Sequence, residues 1–255
     1  MRLNNKFINN STVVIAGCGG TGGFVAEDLC RILPVSQQII LVDPDIVEER
    51  NLIRQNYSAG DIGKYKCEAL ADHLCARYKR KIGYFVGKIK EFNSNSQGLL
   101  LGCVDNGPAR ADIALKFVSQ YSSEYGWWID AGNENNFGQI LVGNSKFAAS
   151  SSYVINHQRP ELQDLRWDHL PLPTLQRPDL LTQVPGKISC LQAAEQGSTI
   201  NRTMASLMVE TVRQLINNTL TWFQLYVDMD KGVMHPIYAD EDTVKQLEKN
   251  IKKEV

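Results

Sequence analysis

The chain contains no paired cysteine motif. Its six cysteines, Cys18, Cys30, Cys67, Cys75, Cys103 and Cys190, fall into no C-x-x-C pattern. That spacing is what a zinc ribbon or knuckle needs, so no structural zinc is expected. Several of these cysteines lie in apolar surroundings, which suits reduced core thiols in a cytoplasmic protein. Neither sign of charge prevails: 27 Lys and Arg against 28 Asp and Glu leave a net charge of −1. A general nucleic-acid-binding surface therefore has no support. No apolar run approaches the roughly 20 residues of a membrane span. The start, Met1 to Lys6, leads into no long apolar segment, so no signal peptide or membrane span is read. The expectation is a soluble cytoplasmic protein.

What is present begins with a strong local signal. Val13-Val14-Ile15-Ala16 is a short apolar run, Gly17-Cys18-Gly19-Gly20-Thr21-Gly22-Gly23 follows it, and Phe24 to Leu29 is helix-like. The order reads strand, tight glycine turn, helix. Such a turn brings backbone N–H groups and a helix N-terminus to a phosphate, with Gly17, Gly19, Gly20 and Gly22 forming the cradle. Alone it marks a nucleotide site, most often one for NAD or FAD. Asp43-Pro44-Asp45 closes the next strand, and Asn51-Leu52-Ile53-Arg54-Gln55 follows. Asp43 would serve the ribose of either nucleotide class, whereas an arginine and an asparagine here suit a triphosphate better than a dinucleotide.

Buried strands are read at Ile39–Val42, Leu99–Val104 and Trp127–Asp130, continuous apolar runs that suit parallel strands covered on both faces. Further strands are expected at 82–86, 140–142 and 152–155. Helices are expected over 64–80, from Pro108 to about Tyr125, and over 200–216. In the first of these, Lys66, Glu68, Asp72 and Arg77 form the polar face. Asp230-Lys231-Gly232 joins two strands as a hairpin, and the tail after Asp240 is charged and helix-prone. Alternating strands and helices imply an α/β, doubly wound, mainly parallel Rossmann-like sheet, with its ligand outside the carboxyl ends of the strands. The glycine turn, Asp43 and Asp105 all lie at such ends. Five of the nine prolines, Pro160, Pro171, Pro173, Pro178 and Pro185, fall between His157 and Lys187. Residues 1–156 are read as the nucleotide-binding core, 157–199 as a proline-rich crossover, and 200–255 as a helix, hairpin and tail completing the same domain.

From Val13 to about Gly143 the chain resembles the ThiF/MoeB/ubiquitin-activating superfamily of adenylating enzymes. The resemblance rests on the glycine loop, Asp43-x-Asp45, Asn51-Leu52-Ile53-Arg54-Gln55, Gly63-x-x-Lys66, and Val104-Asp105-Asn106 with Arg110 downstream. Leu29-Cys30-Arg31, Ile188-Ser189-Cys190 and Tyr226-Val227-Asp228 further resemble the ThiF-type member of bacterial PRTRC systems, which occurs alongside a ubiquitin-like protein. The resemblance implies ATP and Mg²⁺ as cofactors and a ubiquitin-like protein as substrate. It also implies a conjugating-enzyme-like acceptor and a homodimer, with no membrane or nucleic-acid partner. It implies Arg54 at the triphosphate, Lys66 at the attacked phosphate, Asp105 on the metal with Asn106 beside it, and Asp43 at the ribose. Asn51 and Gln55 would support the phosphates or the metal, and Asp45 is counted with the nucleotide-binding residues, a structural role being its alternative. Many relatives form a thioester on a cysteine placed like Cys190. The C-x-x-C zinc motifs of ThiF and MoeB are missing here. Relatives also use an arginine from the partner's N-terminal segment, and only Arg2 precedes the first strand. An NAD(P)-dependent oxidoreductase, a non-catalytic scaffold subunit, and adenylation of a small-molecule or RNA-linked carboxylate are the competing readings.

Overall fold

A computed structural model describes residues 2–3, 12–93, 98–117, 126–145, 150–154, 164–182 and 198–254. The strands are β1 (Arg2–Leu3), β2 (Val13–Ala16), β3 (Ile39–Val42), β4 (Ile82–Phe85), β5 (Leu99–Gly102), β6 (Trp128–Glu134) and β7 (Phe137–Gly143). They continue with β8 (Ser150–Val154), β9 (Asp164–His169), β10 (Trp222–Asp228) and β11 (Val233–Tyr238). The helices are α1 (Gly20–Ile32), α2 (Lys66–Tyr78), α3 (Gly107–Leu115), the short α4 (Pro173–Gln176), α5 (Ser198–Ile216) and α6 (Glu241–Glu254).

An eight-stranded sheet runs β11-β10-β7-β6-β5-β2-β3-β4. From β6 to β4 its neighbours are parallel, and from β6 to β11 they are antiparallel. Side chains of β2 alternate between two cores, as a pleated strand requires. Val13 and Ile15 join the larger cluster with α1, α2 and α5, and Val14 and Ala16 join the smaller one with Ile113, Phe117, Trp128 and Leu172. Burial on both faces is why this strand reads as an unbroken apolar run. The chain is thus an α/β Rossmann-like fold, and the hairpin β10–β11 extends the same sheet through β7.

Three features depart from the sequence reading. The helix after Pro108 begins one residue earlier and ends at Leu115, with Lys116 as its C-cap, well short of Tyr125; residues 118–125 lie outside the described residues. The proline-rich stretch contains a strand, β9, which pairs with β8 and β1 in a separate three-stranded sheet. Lys66 does not sit on a solvated helix face: it is buried at the first position of α2.

Candidate functional site

The glycine turn is shaped by close backbone approaches. Gly17 has φ +92°, and a Cβ there would meet the Cys103 carbonyl oxygen at 2.6 Å. At Gly22 a Cβ would overlap the Gly17 carbonyl, and at Gly20 it would overlap the Asn201 amide. Glycine is therefore required by contact as well as by dihedral angle. Gly19 is the N-cap of α1, and no described side chain caps this helix. Its first N–H groups face the crevice as an anion-binding end. The turn is tied down from outside. The Tyr57 hydroxyl donates to the Cys18 carbonyl at 2.6 Å, and Thr21, Asn133 and Asn201 form a hydrogen-bonded group beneath it.

Beside the turn stands a charged cluster. Asp43 is buried, its Oδ2 accepting from the Cys18 N–H at 2.6 Å and its Oδ1 from the Asp45 N–H at 2.8 Å. Burial pushes the Asp43 carboxyl up, against the opposing pull of the Cys18 N–H and the Lys66 ammonium. Lys66 Nζ lies 2.9 Å from Asp45 Oδ2, and the Asp45 side chain is 63% exposed while that of Lys66 is 11% exposed. A largely buried ammonium is thus held at the crevice wall by a carboxylate that reaches into solvent.

The loop between β3 and α2 carries the next residues. Asn51 is buried, and its Oδ1 accepts from the Glu48 N–H at 2.8 Å, closing a capping box. Arg54 and Gln55 follow in the same turn, both half-buried. Gln55 Nε2 lies 4.0 Å from the position a Gly19 Cβ would take, and Gln55 Oε1 is buried with no partner among the described residues. Its amide faces the glycine turn with an unmet acceptor. A second capping box, Ser58 with the buried Asp61, anchors the loop further on.

Just past the end of β5, the strand beside β2, Asp105 is exposed and its Oδ1 accepts from Asn106 Nδ2 at 2.9 Å. The cap of α3 is Asn106, whose Oδ1 accepts from the Ala109 N–H at 2.9 Å. Asp105 is therefore not consumed as a helix cap. Arg110, on the following helix, is 1% exposed and pairs with Asp130 on β6. Residues missed from the sequence are Tyr57, Asn133, Asn201 and Asp130. All act across long sequence separations, and only the Ser58-x-x-Asp61 box had a local signature.

Cys190 lies outside the described residues. Four of the five described thiols are poor nucleophiles, the exception being the half-buried Cys75. Burial pushes Cys30 and Cys67 up to about 11, and Cys18 and Cys103 are raised further by the same cause. Folding raises these values above the ordinary 9.0, so the stabilisation it gives is complete below pH 9 and is lost as pH rises through 11. At pH 8 a thiol reagent should leave Cys18, Cys30 and Cys67 unmodified in the native protein and modify them after unfolding. Peptide mapping by mass spectrometry is the check, and native labelling of these three would contradict the burial.

The chain is similar in sequence and fold to known proteins. The profile of the ThiF family matches residues 3–227. The ubiquitin-like modifier-activating enzyme 5 of Caenorhabditis briggsae is 30% identical over 145 residues, covering 51% of this chain and 32% of that protein. The ATP-dependent ubiquitin transferase-like protein Cap2 of Enterobacter hormaechei subsp. hoffmannii is 39% identical over 67 residues, 26% of this chain and 11% of that protein. This chain thus spans about a third or less of these curated relatives. Escherichia coli MccB with ATP shares the fold at a TM-score of 0.59 and 18% identity, over 91% of this chain and 64% of MccB. PaaA does so at a TM-score of 0.60 and 17% identity, over 91% and 74%.

Proposed function

Because this chain belongs to the ThiF family, we propose that it adenylates the C-terminal carboxylate of a ubiquitin-like protein at the expense of ATP. The observation that carries this reading is that the ends of three neighbouring strands, β5, β2 and β3, carry Asp105, an uncapped helix N-terminus, and Asp43 with the Lys66–Asp45 pair. The names of the curated relatives, a ubiquitin-like modifier-activating enzyme and a ubiquitin transferase-like protein, support the substrate class.

In the proposed reaction a carboxylate oxygen of the substrate attacks the α-phosphorus of ATP. The new O–P bond forms as the bond from that phosphorus to the bridging oxygen breaks, and the electron pair leaves with pyrophosphate. A carboxylate is already ionised at neutral pH, so no general base is needed. The protein's work is positioning and charge neutralisation. The N–H groups at the start of α1 bind phosphate, with Gln55 beside them. Lys66 leaves Asp45 to meet the attacked phosphate, and Asp43, alongside, accepts from the ribose. Arg54 holds the triphosphate in planar, bidentate fashion. Asn51 fixes the loop that carries Arg54 and Gln55.

Among the described residues no three His, Cys, Asp or Glu side chains gather as a metal site. Magnesium does not need such a cage: it takes one or two carboxylates and completes its shell with phosphate and water. The exposed carboxylate of Asp105, steadied by Asn106, fits that donor set. When bound, the ion would neutralise charge on the phosphate oxygens.

Arg54→Ala should raise the Kd for ATP together with lowering turnover, because its charge meets the phosphates already in the ground state. Calorimetric titration with ATP, alongside pyrophosphate exchange, reads both, and an unchanged Kd would remove Arg54 from the phosphate site.

A thioester step would use Cys190. Its support is position in the sequence: Cys190 follows the proline-rich stretch and precedes the polar segment Gln192 to Asn201. With ATP, Mg²⁺ and the ubiquitin-like protein, intact-mass analysis without reductant should show an adduct that thiols remove. Cys190→Ala should lack the adduct and keep adenylation. A full-level adduct in that variant would place the thioester elsewhere.

A further inference from the structure

A buried ion pair stands directly behind Asp105. Arg110 on α3 and Asp130 on β6 have side chains 2% and 0% exposed, and Arg110 Nε lies 2.9 Å from Asp130 Oδ2. The same guanidinium donates through Nη2 to the Val104 carbonyl at 2.9 Å. Val104 is the residue before Asp105, at the turn from β5 into α3. Arg110 therefore joins the β6 carboxylate to the backbone that presents Asp105.

Stability does not account for this arrangement. Two charges lose their hydration on burial, and replacing such a pair with apolar side chains of similar volume is often neutral or stabilising. The pair is also incompletely satisfied. Asp130 Oδ1 and Trp128 Nε1 are buried side by side against Gly102 without closing a hydrogen bond of ordinary geometry, although the indole N–H still favours the charged carboxylate. The site makes room for both. A Cβ on Gly102 would overlap Asp130 Oδ1 and come within 2.7 Å of Trp128 Nε1. Gly102 ends β5, three residues before Asp105. Local structure is thus arranged around a carboxylate at 130, and the Arg110–Val104 hydrogen bond links it to the turn that carries Asp105.

We propose that Asp130 is a positioning residue: through Arg110 and the Val104 carbonyl it fixes the β5–α3 turn, and with it the carboxylate of Asp105 at the crevice. Asp105 is held from two sides, its preceding carbonyl by Arg110 and its side chain by Asn106. Partners behind a metal-binding group typically govern metal affinity by about 10- to 100-fold. The inference rests on the reading of Asp105 as the group that receives magnesium.

The test compares ATP affinity with Mg²⁺ and with EDTA, measured calorimetrically on the full chain. Wild type should bind ATP more tightly with Mg²⁺, and Asp105→Ala should lose that gain. Asp130→Asn should lose roughly tenfold of it, while metal-free ATP affinity stays unchanged. Should Asp130→Asn fail to fold, the double variant R110M/D130L removes the pair while keeping the core apolar. It should fold and show the same selective loss. A folded variant with the wild-type gain from Mg²⁺ would overturn the proposal. Hydrogen exchange of the 104–109 amides gives a readout independent of nucleotide. Faster exchange in Asp130→Asn or the double variant supports positioning, and unchanged exchange contradicts it. A wild type that binds no ATP would instead sink the functional reading, leaving exchange to decide the positioning.

Discussion

Asp105→Ala should lower adenylation by roughly 100-fold or more, the loss typical of removing one preorganised electrostatic group from an active site. Its fold should survive. Asp105 is exposed, its hydrogen bond is to the adjacent Asn106, and Asn106 caps α3 independently. The defect should lie in metal-dependent phosphate binding and turnover, without a fall in melting temperature. Pyrophosphate exchange and a thermal melt on one preparation separate these. Near-normal exchange would remove Asp105 from the metal site, whereas lost exchange with a collapsed melt would make its role structural.

Lys66→Ala should be comparably damaging, at about 100-fold in rate, but with a different signature. Its ammonium is held by Asp45 in the ligand-free chain and would meet charge that develops on the attacked phosphate. Turnover should therefore fall much more than ATP affinity. Lys66→Ala also leaves Asp45 unpaired, but that carboxylate is largely exposed, so the loss of an ion pair there costs little stability. Equal losses in affinity and turnover would place Lys66 on the ground-state triphosphate instead.

Much of the frame was legible because its physics is local. The runs at 13–16, 39–42 and 99–102 are apolar at every position but one, Gly102, as strands covered on both faces must be. The glycine turn between β2 and α1 follows from the same reading, as does the placing of Asp43 and Asp105 at strand ends. What escaped depends on pairing at a distance. The antiparallel half of the sheet joins β7 to β10 across more than 80 residues, which no local pattern announces. The strand Asp164–His169 does alternate polar and apolar residues at its start, but the surrounding prolines dominate a local reading. At the site, the spacing of Lys66 from Gly63 pointed to chemistry, while its helix periodicity pointed to solvent. Burial beside Asp43 and Asp45 removes the solvent reading. The Arg110–Asp130 pair lies on two elements twenty positions apart, and its link to Val104 is through a backbone carbonyl, invisible to any side-chain motif.

The central claim is carboxylate adenylation, and ATP–pyrophosphate exchange with a ubiquitin-like protein tests it most directly. Labelled pyrophosphate should enter ATP only when the chain, Mg²⁺ and a ubiquitin-like protein with a free C-terminal carboxylate are together, and amidation of that carboxylate should abolish the signal. Exchange that ignores the C-terminus, or binding of NAD in place of ATP with no exchange, would contradict the account.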